Sequence, residues 1–188
     1  MATQPAQTFF QRIEQSFMSS IGAIVFGMED GTVSIFGLVL GVAASATNSQ
    51  TVLLAGATGA ISAAVSMMAG TYLDVSTERD QAQAAVATKQ REIQQNPQAE
   101  AQKVQDQFKQ AGFSDTDTQT IMAIIQRTPG ALLKTATAFE LPIGPSANQS
   151  PWVQASWMFV ADLFAAFVPV LPFAFLPLES ASTCSLIV

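Results

Sequence analysis

Apolar residues along the chain gather into three long runs. Residues 18–44 are apolar apart from the adjacent acids Glu29 and Asp30, residues 51–73 carry no charge, and residues 153–178 are apolar apart from Asp162. Each run exceeds the roughly 20 residues that a helix needs to cross about 30 Å of hydrocarbon. The pattern therefore predicts three membrane-spanning helices. The first run is too long, too glycine-studded and too interrupted by acids for a cleaved leader, and is read as a retained span.

Between the second and third runs, residues 74–150 change to glutamine, alanine and scattered charge. A helix is predicted over 74–95, continuing straight out of the second span. Asn96-Pro97 restarts one, with Asn96 as cap and Pro97 in the first turn. "SDTD" from Ser114 reads as a capping box with Asp in place of Glu, opening a helix through Gln126. Thr128-Pro129 begins a last helix that ends before Pro142, and "PIGPSANQSP" is a stiff linker back to the membrane. The expected fold is an all-α membrane protein with three transmembrane helices and an inserted cytoplasmic helical domain. Its segments are 1–73, with the first two spans, 74–150, the insert, and 151–188, the third span and tail.

Composition supports a membrane class: of 188 residues 49% are hydrophobic and only 12% charged, and the mean hydropathy is positive. A net charge of −6 leaves no basic patch for phosphates and excludes nucleic acid as a partner. A single cysteine, Cys184, and the lack of histidine exclude disulfide frameworks, histidine-based zinc sites and Ser-His-Asp or Cys-His catalysis. With no nucleophile–base or cofactor motif, the chain is not expected to be an enzyme. Any metal must be held by oxygen or thioether ligands.

All eight basic residues fall on one side of the predicted spans: Arg12 before the first, and Arg79, Lys89, Arg91, Lys103, Lys109, Arg127 and Lys134 between the second and third. By the positive-inside rule the amino terminus and residues 74–150 face the cytoplasm. Trp152 and Trp157 are placed at the cytoplasmic end of the third span, where indole rings anchor. Gly37 and Gly41 form a GxxxG in the first span, and Ser62, Ser66 and Gly70 repeat small residues in the second, spacings that let helix backbones approach.

"GMEDGTVSIFGLVLGVA", "GAISAAVSMMAGTYLDVSTERD", "LLKTATAFEL" and "FVPVLPFAFLP" together resemble the vacuolar iron transporter family, in order and spacing, from about residue 15 to 178. That family has five spans, so the resemblance implies a chain truncated after the third. It further implies a homodimer in a lipid membrane that moves ferrous iron, sometimes manganese, out of the cytosol in exchange for protons. No prosthetic group is implied. The membrane would be the plasma or inner membrane of a prokaryote, or an organelle membrane. The family's path runs through an aspartate of span one and a methionine of span two, matched by Asp30 and Met67. Its cytoplasmic metal-collecting cluster is matched by Glu92, Glu100 and Glu140, whereas Lys89, Lys103, Ala136 and Thr137 stand where other ligands are expected. Those losses keep open a second reading, a non-transporting scaffold or docking subunit that retains the fold.

A carboxylate and a thioether suit Fe(II) and Mn(II), and an ionisable group inside a membrane, costing about 2.5–3.5 kcal/mol on insertion scales, usually marks an ion or proton path. Two readings fit Asp30: a ligand on a water-filled path shared between protomers, or a cap on a helix break at Gly31 that binds nothing. Glu29 either serves proton exchange beside Asp30 or sits solvated at the cytoplasmic mouth. Asp162 is read as hydrogen-bonded to a neighbouring helix.

Overall fold

The computed structural model describes residues 9–141 and 150–187, with the side chain of Arg12 left aside. The described residues are helical without any strand: α1 (Phe9–Ser19), α2 (Ile21–Ala43), α3 (Ser49–Gln95), α4 (Pro97–Gln110), α5 (Asp115–Arg127), α6 (Ala131–Glu140), α7 (Pro151–Phe167), α8 (Pro172–Phe175) and α9 (Leu178–Ile187). The chain divides into two compact units, one made of residues 1–75 and 149–188, the other of 76–148. Most of the linker expected at 142–151 lies outside the described residues.

Among the described residues two helices, α2 and α3, are long and apolar enough to cross a membrane. Their outward side chains are greasy: Val25, Phe26 and Val33 on α2 and Leu54, Ile61 and Leu73 on α3 are exposed. Exposed apolar surface of that extent marks a face meant for lipid or for another chain.

The first apolar run is not one helix from residue 18. It breaks at Ser20, whose φ of −105° and ψ of 8° separate α1 from α2, in a serine–serine–glycine-rich stretch of poor helix formers. Trp157 fixes α1 against α7. Its Nε1 donates to Ser16 Oγ at 2.9 Å, and its ring meets Phe17 edge to face at 5.4 Å. Trp152 instead lies against Tyr72, with ring centroids 4.6 Å apart.

The single third helix expected over 153–178 is also corrected. α7 stops at Phe167 after 17 residues. Pro169 and Pro172 have no amide hydrogen to give, so the chain turns through i→i−3 bonds, Val170 N to Phe167 O and Phe173 N to Val170 O, both 3.1 Å. Two other segments tie down carbonyls of this turn. Ser185 Oγ of α9 donates to Pro169 O at 3.0 Å, and Ser49 Oγ at the start of α3 donates to Leu176 O at 2.9 Å.

The core of this unit joins Ile35 and Val39 of α2, Val52 and Ala60 of α3, and Ala166, Val170, Phe173 and Ala181. On α3 the small-residue row turned inward is Val52, Gly56, Ala60 and Ala64, while Ser62, Ser66 and Gly70 are exposed. On α2 the glycines in the packed seam are Gly27 and Gly31. A Cβ added at Gly27 would lie 2.6 Å from Met158 Sδ, and one at Gly31 would lie 2.5 Å from the Asp162 carbonyl oxygen and 2.6 Å from its Oδ1. At Gly37 and Gly41 a Cβ would meet nothing within 4 Å.

The second unit has its own small core of Val104, Met122, Ile125 and Ala136. Its helix starts follow local chemistry. Asn96 Oδ1 accepts from Ala99 N at 3.1 Å, with Pro97 in the first turn. Ser114 Oγ accepts from Asp117 N at 3.2 Å and donates to Asp117 Oδ2 at 2.6 Å. The last helix begins at Ala131 rather than at Thr128. Thr128 precedes a proline and is extended, and Gly130 has φ +75°, a left-handed turn that glycine adopts without strain.

Because α7 backbone faces Gly31, Gly31→Ala should lower stability by about 1–3 kcal/mol through overpacking. Gly22→Ala, in open space, should be neutral. Thermal unfolding of the detergent-purified chain compares the two, and equal midpoints would contradict the tight seam.

Candidate metal centres

In the first unit α2 runs unbroken from Ile21 to Ala43, which removes the reading of Asp30 as a cap on a break at Gly31. Asp30 is half-buried, and its Oδ1 accepts from Ser34 Oγ at 3.3 Å. Asp30, Ser34, Gly37 and Gly41 recur at helical spacing and form one stripe, away from the buried row of Ile24, Gly27, Gly31, Ile35 and Val39. Glu29 is exposed, and Met67 is half-buried on α3.

Sequence reasoning misplaced Asp162. Its side chain is fully buried on α7, and neither carboxylate oxygen has a hydrogen-bond partner among the described residues, so the expected bond to a neighbouring helix is not made. The carboxylate lies instead over Gly31. The available signal was the first GxxxG, Gly27 and Gly31, opposite a Met and an Asp four residues apart.

In the second unit Glu92 of α3, Glu100 of α4 and Glu140 of α6 do come together, but around an ammonium. Lys89 Nζ lies 2.9 Å from Glu92 Oε2 and 2.9 Å from Glu100 Oε2, and also pairs with Glu140 Oε2. Lys103 Nζ takes the other Glu100 oxygen at 2.6 Å. Lys89 and Glu100 are buried, and Lys89, Glu92, Lys103 and Glu140 line an open groove with Ala85, Thr88 and Leu141. Of the remaining family positions, Ala136 is in the core. Thr137 Oγ1 is bonded back to its own helix at Leu133 O, 2.8 Å away. Among the described residues no group of three or more His, Cys, Asp or Glu side chains is arranged to hold a metal.

Electrostatics bind this cluster shut. Burial alone pulls the Lys89 pKa down, but hydrogen bonds with Glu140, Glu100 and Glu92 together outweigh it and hold the ammonium above its ordinary value. The Lys103 and Lys89 ammoniums, in that order, hold Glu100 below the usual carboxylate range. A lysine surrounded in this way does the neutralising that a divalent cation would otherwise do.

Residues 21–188 match the VIT family, and the chain belongs to it. It is similar to vacuolar iron transporter 1 of Arabidopsis thaliana, 27% identical over 154 residues that cover 82% of this chain and 62% of the relative. Vacuolar iron transporter 2 of Oryza sativa subsp. japonica is likewise 27% identical over 154 residues, covering 82% and 63%. The vacuolar iron transporter of Toxoplasma gondii is 26% identical over 155 residues, covering 81% and 51%. The chain thus spans about three-fifths of the length of the plant relatives.

Two outcomes follow from the cluster. Lys89→Gln takes away the ammonium that Glu92, Glu100 and Glu140 share and leaves Glu100 with Lys103 alone, so it should cost about 3 kcal/mol, the low end for breaking a buried pair. Added Mn(II) should recover part of that loss in the variant but not in the wild type. Hydrogen exchange of the α4 amides is the readout, and wild-type protection in the variant without metal would contradict the role of Lys89. The pH dependence is two-sided. Glu100, depressed in the folded chain, contributes stability above its ordinary value of 4.5 and loses it as pH falls through the lower folded value. Lys89, raised, contributes at neutral pH and loses its share only as pH rises through its folded value. Opening of α4, corrected for intrinsic exchange, should therefore increase on acidification below about pH 4.5 and stay flat from pH 6 to 9.

Proposed function

We propose that this chain is the membrane part of a metal-ion transporter that carries Fe(II), and also Mn(II), out of the cytosol in exchange for protons. Asp30 carries the reading: a half-buried carboxylate in the middle of an apolar helix, at one end of an open stripe of Ser34, Gly37 and Gly41. Met67 supplies the softer ligand and Glu29 the polar mouth of the path. The names of the relatives support iron as cargo.

The topology in this proposal has α2, the apolar part of α3, and α7 with the turn after it as three spans. Residues 74–150 are an inserted cytoplasmic domain, and the amino terminus is on the same side. The bias of the basic residues supports that orientation. The exposed stripe on α2, and Ser62, Ser66 and Gly70 exposed on α3, offer small-residue faces to a second copy, so that a homodimer closes the path between two Asp30 side chains. The membrane is that of an organelle, or the plasma or inner membrane of a prokaryote.

One observation favours the alternative of a scaffold or docking subunit. Lys89 fills the place among Glu92, Glu100 and Glu140, which leaves the second unit poorly equipped to collect metal. In the transport reading the ion instead enters directly at Asp30.

Two variants separate the readings. Asp30→Asn, neutral and nearly isosteric, should keep membrane insertion and lower metal uptake into proteoliposomes under a pH gradient by about a hundredfold, an order set by losing a charge-bearing ligand. Met67→Leu should slow Fe(II) more than Mn(II), because the softer ion gains more from a thioether. Wild-type uptake by Asp30→Asn would give the scaffold reading precedence.

A further inference from the structure

The seam between α2 and α7 holds chemistry that a path through Asp30 and Met67 leaves unused. Met158 and Asp162 stand one helical turn apart on α7 and both face α2, the thioether over Gly27 and the carboxylate over Gly31. Met158 is 4% exposed and Asp162 0%. Neither oxygen of Asp162 has a hydrogen-bond partner among the described residues. The sequence places no lysine, arginine or histidine in α2, in α3 as far as Val75, or from α7 to α9. A buried carboxylate with neither donor nor cation is an orphan that calls for an ion or water to complete it. Asp30 directly precedes Gly31 on α2.

We infer that Asp162 and Met158 form a carboxylate–thioether pair that coordinates a divalent transition-metal cation at the α2–α7 seam, adjoining Asp30. The glycines are part of the site, since a side chain at Gly31 would occupy the space of the carboxylate and one at Gly27 the space of the sulfur. Among the described residues no group of three or more His, Cys, Asp or Glu is arranged for a metal; the Met158 sulfur is the side-chain donor one turn from Asp162 on the same face of α7, and a site with oxygen and sulfur donors accepts borderline and soft cations as well as hard ones. This inference deepens the transport reading and rests on it, making the seam a station on the ion's route.

The test is cation binding by the full chain in detergent micelles, with loss of the free Mn(II) electron paramagnetic resonance signal as readout, and competition by Cd(II) as a soft probe. Asp162→Asn should weaken Mn(II) by about tenfold or more, since even residues that only support metal ligands cost that much. Met158→Leu should leave Mn(II) within about twofold and weaken Cd(II) by about tenfold, following the softer ion's preference for sulfur. If Asp162→Asn does not give monodisperse protein, the Cd(II) affinity of Met158→Leu decides alone. Wild-type Mn(II) affinity in Asp162→Asn, or wild-type Cd(II) affinity in Met158→Leu, overturns the inference. If Asp30→Asn loses Mn(II) while Asp162→Asn binds normally, the seam site falls and the transport reading stands. Unchanged binding in both aspartate variants removes both.

Discussion

Taking a charge out of water is costly unless its compensation moves with it, and the two units meet that demand in opposite ways. Around Lys89 the compensation is complete: three carboxylates from three helices share one ammonium, and Lys103 takes the spare oxygen of Glu100. The helices α3, α4 and α6 are thereby pinned together beside a small core of Val104, Met122, Ile125 and Ala136. At Asp162 the compensation is missing among the described residues, and α2, α3 as far as Val75, and α7 to α9 carry no lysine, arginine or histidine. One unit is closed by its own lysine, and the proposed site at the α2–α7 seam would take its cation from outside.

Glycine placement makes the second situation possible. α2 lays Gly27 and Gly31 against α7 so closely that backbone and carboxylate fill the space of the missing side chains. The same helix turns Asp30, Ser34, Gly37 and Gly41 to another side. A helix with two small-residue stripes can hold one neighbour within the chain while offering the other stripe elsewhere. The proline-broken turn after α7 supports this arrangement, because Ser185 and Ser49 tie carbonyls of this turn and seat α9 and α3 there.

Where local chemistry decides, the sequence was readable. Asn96 and Ser114 cap helices because their short oxygens reach the orphan amides two or three residues on. Apolar runs mark α2 and the first half of α3 because length and composition suffice there. Hydropathy hid the break at Pro169 and Pro172, since it does not register a missing amide hydrogen. Two GxxxG spacings in one helix look alike in sequence, and only packing against Met158 and Asp162 distinguishes 27 and 31 from 37 and 41. In the sequence Lys89 stands only as a lysine at a position where the resemblance implies a ligand. That it sits at the focus of all three glutamates depends on how α3, α4 and α6 meet, which no spacing encodes.

The central claim is that this chain holds its cation between membrane helices and not in the glutamate cluster. Anomalous diffraction at the manganese edge, from crystals of the full chain grown with Mn(II), locates the ion directly. The account predicts a peak beside Asp30 in the first unit, with Lys89 still paired to Glu92, Glu100 and Glu140 and no peak among them. A peak enclosed by those three glutamates, with Lys89 swung away and nothing at Asp30, would contradict it.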